Sequence, residues 1–115
     1  MHREGFVTAL RQHAARRLTD EGLLYAFLES VFFCQAPQHP GFLAVPARRG
    51  PVIGVYTSET ELARHAGPCR WFSSTGADLV ALAPVGHLFV VDPGAPHEVL
   101  VDPSIFIERV SGPAA

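Results

Sequence analysis

The sequence predicts an α+β domain: a mostly antiparallel, mixed sheet of five or six strands with helices packed on one face. Three observations predict it. Up to about residue 30 the apolar residues recur at helical spacing. From residue 31 they gather into short β-branched and aromatic runs bounded by proline or glycine. Two helix-start signatures interrupt those runs, which allows one parallel crossover among antiparallel hairpins.

The elements follow in order. In "GFVTALRQHAARRL", Phe6, Leu10 and Ala14 share a helical stripe with arginines opposite. Thr19, Asp20 and Glu21 supply a hydroxyl N-cap and first-turn acids, and Leu23, Leu24, Phe27 and Leu28 continue as one apolar stripe. "SVFFCQAP" reads as a buried strand closed by proline. Phe42 to Val45 and Val52 to Tyr56 read as two strands, with Pro46 and Pro51 at their ends because proline cannot donate to a ladder. Ser58 and Glu61 form a capping box, and Gly67 and Pro68 end that helix. "CRWFSS" is brief and extended. Thr75 and Asp78 open another helix, with Leu79 and Leu82 inward and Pro84 as its stop. "HLFVVDP" and "HEVLVDP" make two strands around the turn "PGAP". "SIFIERV" suits a helix or a strand equally.

The 115 residues fit one domain, with helices in 5–30, sheet and helices in 31–110 and a tail in 111–115. Because 48% of residues are apolar and 17% charged, there is material for a core and no sign of general disorder. A formal net charge of -2 gives no field for nucleic acid or an anionic membrane. Arg11, Arg16 and Arg17 read as a solvated helix face. All nine basic residues are arginine, which excludes Schiff-base and phosphate-loop lysine chemistry. No long apolar segment follows the start, so neither a signal peptide nor a membrane span is expected, and the chain reads as cytoplasmic with Cys34 and Cys69 reduced. The start and the "SGPAA" tail read as the ends of a nearly complete protein.

The stretches "LLYAFLESVFF", "FLAVPARRGPVIGVYTSETELARHA", "STGADLVALAP" and "HLFVVDPGAPHEVLVDPSI" resemble the N-terminal domain of the SseB family, including its actinobacterial members. A strand ending "VYTSETEL", whose threonine-serine step feeds a helix, carries most of the likeness, together with the strand ending "VVDPG". The resemblance implies an α+β domain with no established catalytic residues. The family label is linked to serine sensitivity and, by name, to a type III secretion protein. Many members have an Asn-Pro-Gly turn where this chain has Asp92-Pro93-Gly94.

Four sets of residues are candidates for chemistry. Cys34-x4-His39 and His65-x3-Cys69 could supply two thiolates and two imidazoles to zinc, against the ordinary reading of a buried cysteine and exposed loop histidines. His87, Asp92, His97 and Asp102 could form an acid–base set. Turn geometry competes there. Asp before Pro-Gly suits the first turn position, and Asp102-Pro103-Ser104 suits an N-cap with proline at N1. That leaves His97 exposed and without a structural role. Ser58, Ser73, Ser74 and Thr75 lack a nucleophile elbow, and Ser58 and Thr75 suit caps. Phe42, Tyr56, Trp71 and Phe72 are interface candidates if they are exposed together. Gly54 inside "VIGV" marks a close-packing point or bulge.

With no convergent catalytic set and high apolar content, the sequence favours a non-enzymatic protein-interaction or scaffold module. It implies no cofactor and an unidentified protein partner, and an edge strand offers a route to a homodimer. The alternatives are a small-molecule-binding regulatory domain and a small hydrolase-type enzyme using the His87 to Asp102 region.

Overall fold

Two helices open the computed structural model, which describes residues 5–39 and 41–104, and strands interrupted by two further helices follow. The order is α1 (Gly5–Ala14), α2 (Asp20–Glu29), β1 (Val31–Gln35), β2 (Ala44–Val45), β3 (Val52–Val55), α3 (Glu59–Ala66), β4 (Trp71–Thr75), α4 (Gly76–Leu82), β5 (Leu88–Val91) and β6 (Val99–Val101). The class is α+β, as expected. The single sheet of five or six strands is not observed. There are two sheets, β1-β4 and β2-β3-β5-β6.

The split has a local cause. Phe33 and Tyr56 exchange both backbone bonds at 2.8 Å, the one bridge that joins the two sheets among the described residues. Thr57 and Ser58 then carry the chain into α3, so β3 cannot run further beside β1. The Ser58 hydroxyl accepts from the N–H of Glu61 at 3.1 Å and caps α3. The Glu61 carboxylate pairs with Arg64 at 2.8 Å rather than completing a capping box. Of the four strand pairs, β3–β5 alone is parallel. The sheet register sets Gly54 beside Val90, and Val90 beside Leu100.

Strand alternation gives the four-stranded sheet two unlike faces. Ile53, Val55, Phe89 and Val91 are buried and meet Phe6 of α1, Phe27 of α2 and Leu79 of α4. Phe27 is central, with ring centroids 4.8 Å from Phe32, 5.6 Å from Phe6 and 6.0 Å from Phe89. Thr19 caps α2, its hydroxyl accepting from Gly22 N–H at 3.0 Å, which fixes where this apolar stripe begins. Leu82, expected inward, is 69% exposed: the inward stripe of α4 runs through Leu79, Val80 and Ala83, and Leu82 lies off it. Ala14 is exposed at the last position of α1.

α3 packs along β1 instead of joining that helical layer. The opposite face, carrying Val45, Val52, Gly54, Val90 and Leu100, is left without a helical cover over its middle. Among the described residues no helix is long and apolar enough to cross a membrane. The "SIFIERV" segment beyond Ser104 and the tail lie outside the described residues.

Candidate functional site

Parallel pairing of β3 and β5 places the chain segments that leave their carboxyl ends side by side. β3 runs into Tyr56-Thr57-Ser58 and β5 into Asp92-Pro93-Gly94. In open α/β sheets this end of a parallel pair is where ligands are received.

Asp92 ties the two segments together. Its N–H donates to Val55 O at 2.8 Å. Its side chain is fully buried: Oδ1 accepts from Thr57 N–H at 2.8 Å and Oδ2 from the Thr57 hydroxyl at 2.7 Å. His97 Nε2 lies 2.6 Å from Oδ2. The turn expected at Asp92-Pro93-Gly94 forms, with Ala95 N–H donating to Asp92 O at 3.0 Å and Gly94 at φ 83. The carboxylate does not serve that turn, however. It reaches across to Thr57, and Asp92 adopts φ 49 to do so, in the left-handed region that Asp and Asn tolerate best. His97 therefore has a structural role that the sequence did not assign: it partners a carboxylate with no access to water.

The remaining members of the expected acid–base set lie elsewhere. His87 precedes β5 and Asp92 follows it, about 16 Å apart by strand rise. The His87 Nδ1 is buried and has no hydrogen-bond partner among the described residues. Asp102 caps the turn beginning at Pro103, accepting from the Ser104 N–H at 3.0 Å and hydroxyl at 2.8 Å, which hold its carboxyl below the usual range, with help from Arg49. Only Asp92 and His97 of the four are brought together.

A groove of about 410 Å3 opens on the uncovered sheet face. Val45, Val52, Gly54, Val90 and Leu100 make its floor. Gln35, Tyr56, His65 and Glu98 supply polar groups at its walls. The floor reaches the surface: Val45 is 61% and Leu100 42% exposed. Gly54 is a close-packing point, as expected. A Cβ there would lie 3.2 Å from the Tyr56 hydroxyl and 3.6 Å from the Pro93 ring, so glycine lets the phenol lie against the floor. Glu98 is held at the rim by Gly94 N–H, which donates to its Oε1 at 2.9 Å.

The four aromatic candidates do not form one exposed patch. Phe42 lines the groove and touches Phe72, with ring centroids 6.0 Å apart. Tyr56 is buried beneath His65, with centroids 5.6 Å apart. Trp71 is exposed but lies on β4 against Phe33, away from the groove lining. The groove floor was missed because Val45, Gly54, Val90 and Leu100 come from four strands whose order depends on the crossover.

No three His, Cys, Asp or Glu side chains among the described residues gather as a metal site, so Cys34, His39, His65 and Cys69 are not assembled into the zinc quartet. Both cysteines are free. Burial pushes the Cys34 thiol from 9.0 up to about 12. Tyr56 rises from 10.0 to about 12, first through burial and then through the charges of Asp92 and the two cysteines. A thiol-reactive disulfide reagent at mildly alkaline pH should therefore label Cys69 in the folded chain and reach Cys34 only after unfolding. Rapid loss of both thiols from the folded chain would contradict this burial. Cys34 and Tyr56 hold their protons more tightly folded than unfolded. Their contribution is complete below about pH 9 and is lost as pH rises toward 12. Thermal midpoints measured across that window should fall, and Cys34→Ala should blunt the fall.

No curated protein matches the chain, and no solved structure matches it. The family model for the SseB protein N-terminal domain matches residues 6–105, which take in every helix and strand described above apart from Gly5, the first residue of α1, and the chain belongs to the SseB family.

Proposed function

We propose that this domain is a non-enzymatic binding module whose groove docks an extended apolar segment of a protein partner. One observation carries the reading. The sheet face opposite the helices presents Val45 and Leu100 to water across a cleft of about 410 Å3, a surface whose apolar area gains by being covered. The cleft lining runs from Leu100 of β6 to Val45 of β2, a span that suits a chain segment. We also place the module in the cytoplasm, where its two thiols stay reduced, and among SseB domains of the actinobacterial type on its arginine-only basic set.

Selection of short random peptides on the purified chain tests the reading. Enriched peptides should carry apolar residues in an extended pattern. They should lose about tenfold in affinity, or more, for Leu100→Asp and Val45→Asp, which place a charge on the floor. Both sites are exposed, so both variants should keep the wild-type circular dichroism. Absence of enrichment, or binders indifferent to both variants, would overturn the proposal.

A second reading rests on the volume. A cleft of this size falls within the roughly 300–1,000 Å3 of small-molecule sites. An apolar small ligand would then be held by the Tyr56 and Gln35 polar groups.

A further inference from the structure

We infer that the docked segment carries a positive charge, a lysine or arginine side chain, at the end that reaches Glu98. The inference rests on the groove being a docking site for a protein segment.

Its ground is charge complementarity. Glu98 is the sole residue lining the groove with a formal charge at neutral pH, and no arginine lines it. The other lining groups are the His65 imidazole, the Tyr56 phenol, the Gln35 amide and apolar side chains. Glu98 is exposed, so water and salt screen its field, and it favours a cation over a neutral group by about the worth of one surface ion pair. The carboxylate is also pre-organised. Gly94 N–H holds Oε1 at 2.9 Å, and Oε2 has no partner among the described residues. Glu98 therefore offers one free acceptor in a fixed direction, and an incoming cation meets little rotamer cost.

Geometry sets the length of the segment. The strand order β2-β3-β5-β6 separates Glu98, at the start of β6, from Val45, on β2, by three strand spacings. At about 4.8 Å each that is roughly 14 Å across the sheet, and the register sets Glu98 four residues, about 13 Å, further along the strands than Val45, so the two lie about 20 Å apart, the reach of about six extended residues. The occupant is thus an extended stretch with apolar side chains over Leu100, Val90 and Val45, passing the Tyr56 phenol that lies on Gly54, and a cation at the β6 end. An acidic residue at that end is disfavoured by repulsion from Glu98.

Fluorescence anisotropy with three matched peptides tests this. Their apolar sequences are identical and their terminal residue is arginine, glutamine or glutamate. The arginine peptide should bind about fivefold tighter than the glutamine peptide, the worth of one half-exposed ion pair, and the glutamate peptide most weakly. Glu98→Gln keeps an oxygen for Gly94 N–H while removing the charge. It should abolish the preference and leave the glutamine peptide's affinity unchanged. In the wild-type chain the preference should also shrink with added salt. Equal binding of all three peptides, sensitive to Leu100→Asp, would overturn the charge inference and leave the docking reading standing. So would a preference that survives Glu98→Gln or high salt. Binding of none of the three would overturn both.

Discussion

Gly76→Ala is expected to destabilise the chain by about 3 kcal/mol, at the upper end for overpacking a core and a large share of a small domain's stability. Gly76 follows the Thr75 cap and opens α4, where its N–H donates to Ser30 O at 2.9 Å. A Cβ there would overlap the backbone carbonyl of Phe27 and come within 3.0 Å of its ring. The carbonyl belongs to α2 and cannot swing away as a side chain can. Relief requires α2 and α4 to part, which loosens Phe27 and Leu79 together. Gly22→Ala is the contrast. There the nearest atom is Leu18 Cδ1 at 2.6 Å, the end of a flexible side chain. The helical gain from alanine, up to about 1 kcal/mol, should offset its displacement. Urea denaturation of the two variants separates the cases. Similar midpoints for both would mean that the approach of α4 to α2 is not tight.

Asp92→Ala is expected to cost about 4 kcal/mol. It strands the buried N–H of Thr57 and deprives its hydroxyl and His97 of their acceptor, at about 1–3 kcal/mol for each group left unpaired. It also puts alanine at φ 49, which costs about 1 kcal/mol more. Asp92→Asn should cost about 1 kcal/mol. Its oxygen can accept from Thr57 N–H, its amide can donate to the Thr57 hydroxyl, and asparagine tolerates the left-handed region. What Asn cannot do is accept from His97 while donating to Thr57. Chemical denaturation should order the chains as wild type, Asn, then Ala. An Asn variant as unstable as Ala would assign the role to the negative charge instead of the hydrogen-bond geometry.

The residues that declare themselves in the sequence are those whose job is local. Thr19, Ser58 and Thr75 cap helices because a hydroxyl two or three residues before an N–H can reach it whatever the rest of the chain does. Asp102 caps its turn for the same reason. Asp92 misleads because its partner is 35 residues away. Nothing near it in the chain reveals that Thr57 will arrive beside it through the parallel pairing. His97 inherits the error, since a histidine looks idle until its acceptor is placed. The sheet split was hidden in the same way: the helix signal at Ser58 is plain, but its effect in cutting β3 away from β1 is a tertiary consequence. The groove is the extreme case. Its floor is four ordinary strand residues and a glycine, and each is legible only as strand.

On the proposed reading, the open face of the four-stranded sheet is where a partner segment docks. Amide chemical shifts of the labelled chain, followed while a selected apolar peptide is added, test it most directly. Shifts should concentrate at Val52, Gly54, Val90 and Leu100 and at the Glu98 rim, while the amides of Phe6, Phe27 and Leu79 stay in place. Shifts confined to α1 and α2, or to Trp71 and its neighbours on β4, would contradict it.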